Sequence, residues 1–179
     1  MWDLFLILVG ALIGAFVKPF QDTLYAPKLQ LEFANGDRRF ILETMDASGH
    51  KFAYLRVGIR NNGWGTARNV RILVTRLVLQ TRTNTNEPFD SEVLDLPFAN
   101  SHEATVDIPR DTYRIVDVCR VQHRTNIELQ FLFLKTPNYF PRDLTAGDYR
   151  MTIQATADNC RPTSANVEFA WRGTSFAFR

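Results

Sequence analysis

The chain reads as mainly β: two antiparallel sheets packed as a sandwich, preceded by one N-terminal transmembrane helix. Three observations predict this. From about Lys28 onward, apolar residues recur at every second position; short Gly- and Asn-containing clusters punctuate those runs; and Trp2 to Val17 is an almost unbroken apolar stretch. A period of two marks a strand with one packed and one wet face. A helix of about 20 apolar residues suffices to cross a hydrocarbon core of roughly 30 Å.

The N-terminal run comes first. Counted from Met1 to Phe20, it reaches the length of a span, with Leu, Ile, Phe and Val dominant and Asp3 and Trp2 close enough to the end to sit in an interface. Gly10 and Gly14 form a small-xxx-small pair through which two such helices can approach, although membrane helices are also rich in glycine generally. A cleaved secretory signal is the main competitor. Its charge pattern is absent: no Lys or Arg precedes the run, whereas Lys18, Lys28, Arg38 and Arg39 follow it. By the positive-inside tendency the large domain is then cytoplasmic, with an extracytoplasmic placement as the alternative. A buried core helix is disfavoured because Lys18-Pro19 ends the run sharply. The expected organisation is an anchor over residues 1–20, in contact with the lipid bilayer, a connector over 21–27, and one β domain over 28–179.

Within the domain, Tyr149, Met151, Ile153, Ala155 and Ala157 fall on one face, and Arg150, Thr152, Gln154 and Thr156 on the other. Ala53, Leu55, Val57 and Ile59 repeat the pattern. Val70, Ile72 and Val74 begin a further strand, after which the apolar phase shifts to Leu77 and Leu79, the signature of a bulge or of a strand changing sheets. Ile127 to Leu134 is apolar on both faces and reads as a central strand, while Val167, Phe169 and Trp171 supply the last alternating run. Asn35-Gly36-Asp37, Ser48-Gly49, Asn62-Gly63 and Ala146-Gly147-Asp148 supply turns, and Asn84 to Asp95 reads as a surface loop. Seven to nine strands follow. A parallel α/β sheet is disfavoured because no connection carries an amphipathic helix.

Tyr54-Leu-Arg-Val-Gly-Ile-Arg-Asn-Asn-Gly63, then Thr66-Ala-Arg-Asn-Val-Arg-Ile72, resembles the immunoglobulin-like adhesion-type domains of bacteria and archaea, where a strand ends in an Asn-x-Gly-like turn and the next begins Ala-x-x-Val. Leu144-Thr-Ala-Gly-Asp-Tyr-Arg-Met-Thr-Ile153 resembles the hairpin entry near the end of such domains. The chain is also similar to a group of prokaryotic membrane-anchored proteins that join a short apolar segment to one such domain. The resemblance spans about Lys28 to Trp171 and implies an immunoglobulin-like sandwich, with no reaction attached.

No motif carries chemistry. His50, His102 and His123 are isolated, and Cys119 and His123, though on one strand face, stand more than about 10 Å apart by the ordinary strand rise. Asp46, Asp90, Asp95, Asp107, Asp111 and Asp117 sit beside expected turns and strand edges. Gly58, Gly63 and Gly65 read as turn glycines, since no Walker lysine or strand–loop–helix setting accompanies them. The two cysteines, Cys119 and Cys160, read as free thiols, a disulfide being the alternative. Arg56, Arg60, Arg68, Arg71 and Arg76 form one basic cluster and Arg110, Arg114, Arg120 and Arg124 another, yet the formal net charge is only +2, which disfavours nucleic acid.

The functional expectation is a membrane-tethered, non-catalytic interaction or sensor domain that needs no cofactor or metal and binds a protein partner. Its candidate surface is Tyr54, Arg56, Arg60, Trp64 and Arg68, since aromatic and arginine side chains anchor interfaces. The alternative is an extracytoplasmic carbohydrate or envelope-polymer module with a platform of Tyr139, Phe140 and Trp171. An enzyme of unknown reaction is the least favoured.

Overall fold

The structure is a computed structural model, and it describes residues 2, 9–11, 14, 17, 25–45, 47–80, 86–89, 93–99, 101, 103–123, 128–136, 140, 144, 146–173 and 175–179. Two antiparallel sheets form a β-sandwich. The first contains β1 (Leu29–Glu32), β2 (Ile41–Met45), β3 (Lys51–Asn61), β8 (Tyr113–His123) and β9 (Glu128–Phe131), in the order β1-β3-β8-β9, with β2 sharing the β1 edge of β3. The second contains β4 (Ala67–Gln80), β5 (Asn86–Phe89), β6 (Leu94–Leu96), β7 (Val106–Ile108), β10 (Gly147–Ala157), β11 (Cys160–Trp171) and β12 (Phe176–Phe178). Its order is β12-β11-β10-β4, and the long β4 is flanked on its other side by β5, β6 and β7.

The alternation read from the sequence decides what lies between the sheets. Leu55, Val57 and Ile59 of β3, Ile72 and Val74 of β4, Met151 and Ile153 of β10, and Val167, Phe169 and Trp171 of β11 are all buried in one continuous core. Rings meet across the two sheets: Phe131 of β9 lies 6.1 Å from Tyr149 of β10 and 6.3 Å from Phe169 of β11. The opposite face of the second sheet is polar, with Arg150 paired to Glu168 and Thr152 donating to Asn166.

The phase change after Val74 is a bulge. Ile153 pairs with Val74 but Thr152 pairs with Arg76, so Thr75 is the extra residue, and its hydroxyl donates to the Thr152 carbonyl at 3.3 Å. A second bulge in β8 sets both Val118 and Cys119 against the core, because Leu55 pairs with Cys119 while Arg56 pairs with Asp117.

Several expectations are corrected. Among the described residues no helix is long and apolar enough to cross a membrane. Of the predicted span, only Trp2, Val9–Ala11, Gly14 and Val17 are described, and the rest of residues 1–20 lies outside the described residues. The transmembrane anchor, bilayer contact through residues 1–20, self-association through Gly10 and Gly14, and the single-pass cytoplasmic or extracytoplasmic placements built on it are therefore overturned. Apolar composition alone does not make a span, which needs a continuous helix of about 20 residues, and none of that length lies among the described residues.

Ile127 to Leu134 is not central. Its strand is the four-residue β9 at the edge of the first sheet, and its double-faced apolarity arises because the chain then turns over the core margin, where Phe133 stacks on Phe131 at 5.7 Å and meets Phe140 edge-on at 5.1 Å. Asn84 to Asp95 contains β5 and the start of β6, both short edge strands whose patterns are too brief to read. Gly147 and Asp148 already belong to β10. The chain thus has twelve strands among the described residues rather than seven to nine, the excess being pieces of three to five residues.

Candidate interaction surface

At the end of β3 the strand runs into Asn61-Asn62-Gly63-Trp64-Gly65. Asn61 is wholly buried, and its amide makes four hydrogen bonds: Oδ1 accepts from the backbone N–H of Lys28 and of Gly63, both at 3.0 Å, and Nδ2 donates to the carbonyls of Gly65 at 2.7 Å and Ile108 at 2.9 Å. A side-chain amide has two acceptor sites and two donors, so every one is used. Three pieces of chain distant in sequence, the entry to β1, the β3–β4 loop and the end of β7, are thereby tied together.

Gly63 and Gly65 are pressed against the incoming strand segment. A β-carbon at Gly63 would overlap the Ala26 carbonyl and the Lys28 nitrogen, and one at Gly65 would overlap the Tyr25 carbonyl. Both positions therefore demand glycine for close approach. Trp64, between them, turns outward and is 61% exposed, as is Tyr25 nearby at 59%.

The β7–β8 turn supplies the partner for this ring. Asp111 adopts φ 57°, its N–H donates to the Asn61 carbonyl at 2.9 Å, and the guanidinium of Arg110 lies 3.7 Å from the centre of the Trp64 ring while its Nε donates to the Asp111 carboxylate at 3.1 Å. A cation over an indole face is the strongest of the common cation–π arrangements. The β10–β11 turn closes the same end: the backbone N–H of Asp158 donates to the Arg68 carbonyl, the backbone N–H of Arg68 to Asn159 Oδ1, and Asn159 Nδ2 to the Thr66 carbonyl. Asn69, at φ 51°, links Asp107 and Asp158 through its backbone N–H and its amide. Residues 25–28, 62–66, 109–112 and 158–159 thus form one loop end of the sandwich.

The sequence-derived surface residues fall into two groups. Arg60, Trp64 and Arg68 belong to or border this loop end, and all three are exposed. Tyr54 and Arg56 lie farther along β3 in an internal network: Arg56 Nε is 2.6 Å from Asp117 Oδ1, the two side chains are 14% and 16% exposed, and the guanidinium sits 5.3 Å from the Tyr54 ring centre. Arg110 and Tyr25 carry no sequence signal for this surface. Arg110 lies 46 positions after Trp64 (110 − 64), and only the turn hung on Asn61 brings them together.

Other candidates resolve differently. Trp171 and Phe140 are core residues, which removes two members of the predicted aromatic platform, and Tyr139 lies outside the described residues. Gly58 is not a turn glycine. It lies within β3, covered by the ring of Tyr113. Among the described residues no group of three or more His, Cys, Asp or Glu could hold a metal ion, and His102 lies outside them. Cys119 and Cys160 are free thiols, and burial pushes both upward in pKa, Cys119 strongly so, the opposite of what activates a thiolate. An open hollow of about 560 Å³ beside β2 is lined by Gly36, Asp37, Arg38, Ile41, Leu42 and Glu43, with hydrogen bonds from Arg39 holding the Asp37 carboxyl below its ordinary value.

Comparison with known proteins finds no matching family model and no matching curated relative, so the expected membership of a membrane-anchored adhesion-type group is not upheld; what stands is a mainly-β domain with two antiparallel sheets.

Proposed function

We propose that this domain is a non-catalytic binding module that engages a protein partner through the loop end built on Asn61, with Trp64 and Arg110 as its anchors. The observation that carries the reading is the exposed Trp64 ring held under Arg110 on a loop fixed by four hydrogen bonds. An aromatic ring left in water is unfavourable for an isolated domain, and one whose backbone is already ordered loses little further entropy on contact. Trp and Arg are also the residues that most often dominate binding energy in interfaces.

The test is quantitative capture of partners by the full chain, with wild type compared against Trp64→Ala, Arg110→Ala and, as a distant surface control, Met45→Ala. Loss of one or more specific partners in the first two variants and retention in the third, with circular dichroism and Tm unchanged, is the expected outcome. An unchanged partner set in all three folded variants overturns the proposal.

A further inference from the structure

The chain contains two Asn-Gly pairs, Asn35-Gly36 and Asn62-Gly63, and the fold puts them in opposite states. In such a pair the glycine nitrogen is the natural nucleophile for the asparagine side-chain carbonyl, because the missing β-carbon leaves that nitrogen uncrowded. At Asn62 the fold blocks the attack. Gly63 is buried, its N–H donates to Asn61 Oδ1 at 3.0 Å, its α-carbon is pressed against the Ala26 carbonyl and the Lys28 nitrogen, and Asn62 Nδ2 donates to Gln30 at 2.6 Å. At Asn35 nothing comparable stands in the way. Asn35 and Gly36 are both exposed; apart from chain neighbours, no atom comes within 4 Å of a β-carbon built on Gly36; and among the described residues no hydrogen bond engages the Gly36 N–H.

What Asn35 holds gives its chemistry a consequence. Its Nδ2 donates to the Phe178 carbonyl and its Oδ1 accepts from the Phe178 N–H, beside a ring contact of 5.6 Å between Phe33 and Phe178. The amide therefore clamps β12 to the segment that follows β1. With three residues at the margin of the second sheet, β12 is the kind of element that opens locally at low cost. Each opening frees the Asn35 side chain.

We propose that Asn35 is a site of spontaneous deamidation, and that its conversion releases β12 from this clamp. The Gly36 nitrogen bonds to Asn35 Cγ, the Cγ–Nδ2 bond breaks, and Nδ2 leaves as ammonia with the proton from the Gly36 N–H. Water then opens the five-membered imide at one of its two carbonyls, giving aspartate or, with the main chain rerouted through Cγ, isoaspartate. Neither product rebuilds the clamp, since a carboxylate has no N–H for the Phe178 carbonyl and sets a negative oxygen against it. A transient opening of β12 is thereby made permanent, independently of any binding at the Trp64 loop end.

The experiment incubates the full chain at mildly alkaline pH, folded and in concentrated urea, and follows conversion of the two asparagines by mass spectrometry of the tryptic fragments 29–38 and 61–68. In the folded chain Asn35 should convert at least about tenfold faster than Asn62, because reaction requires the nitrogen and the carbonyl to meet in line, and urea should bring the two rates together. Conversion of Asn62 as fast as Asn35 in the folded chain overturns the proposal, as does a folded-chain Asn35 that stays intact while urea converts both. Release of β12 is read by hydrogen exchange. Asn35→Asp should speed exchange at the Ala177 amide at least about tenfold, with the centre of β10 unchanged, and Asn62→Asp should leave Ala177 as it is. Unchanged exchange at Ala177 in Asn35→Asp, or equal acceleration by Asn62→Asp, overturns the release. Should Asn35→Asp fail to fold, the deamidated fraction of the wild-type chain, separated by ion exchange, is measured in its place.

Discussion

The phenol ring of Tyr113 lies across Gly58 on the outer face of the first sheet, so close that a β-carbon at residue 58 would overlap its hydroxyl and ring edge. Gly58 pairs with Ile115 and Arg60 with Tyr113, so the ring reaches diagonally across two strands onto the bare backbone. Glycine weakens a strand interior, and the covering ring offsets that by shielding the backbone it leaves open. Gly58→Ala should cost about 1–3 kcal/mol through this overlap. In a Tyr113→Ala background the same change should cost less or become favourable, since alanine is better than glycine in a strand. Urea unfolding of the four proteins of this cycle measures the coupling, and additive effects would refute the contact.

The Tyr113 hydroxyl is buried without a hydrogen-bond partner, and burial pushes its pKa up to about 12 from the ordinary 10.0, a rise that the nearby Arg39 charge partly opposes. Tyr149 is pushed up as well, again chiefly by burial. A group whose folded-state pKa is raised contributes stability that is complete below the unfolded value and disappears as pH climbs through the folded one. Stability should therefore fall between about pH 10 and pH 12. Denaturant midpoints at pH 9 and pH 11 should show this drop, and Tyr113→Phe should make it smaller. An identical drop in that variant would assign the alkaline transition elsewhere.

Asn61→Ala should cost about 2–4 kcal/mol, because it strands two N–H groups and two carbonyls that the amide now satisfies in a buried setting. The effect should be local as well as global. Hydrogen exchange at the amides of Lys28 and Gly63 should accelerate in the variant more than exchange at the centre of β10, where the backbone ladder is unaffected. Uniform acceleration would show that Asn61 contributes to stability without organising the loop end.

The Arg56–Asp117 pair is only 14% and 16% exposed, between a surface pair and a fully buried one. Arg56→Met leaves Asp117 uncompensated and should cost about 2–3 kcal/mol, and Asp117→Leu should cost a similar amount. The double variant should cost less than the sum, since removing both charges abolishes the desolvation penalty along with the attraction. Thermal unfolding of the three variants measures this. Equality of the double cost with the sum would mean that the two charges act independently.

The candidate surface was legible in part. Trp64 between two glycines, with Arg60 and Arg68 nearby, stands out as an aromatic–arginine cluster in the sequence itself. Arg110 does not, because its place over the indole depends on Asp111 bonding to Asn61, a relation between turns that no local pattern encodes. Nor did Asn61 stand out. An Asn-Asn-Gly turn predicts polar residues facing water, and only the convergence of β1, β7 and the β3–β4 loop converts one of these side chains into a buried junction.

The sequence by itself determined which residues of the alternating runs in β3, β4, β10 and β11 face the core and where β4 bulges. Alternation is a local property of the pleated chain, and the step from Val74 to Leu77 breaks it at the position where Thr75 is extruded. Only the tertiary structure decided the strand order, the edge position of β9 and the small edge strands β5 and β6. Strand order and register are set by contacts between residues dozens of positions apart, such as Leu29 with Asn61 or Asp148 with Gln80, and a period of two is satisfied equally by many such pairings. The junction at Asn61 and the Trp64–Arg110 contact follow from the one pairing the folded chain adopts.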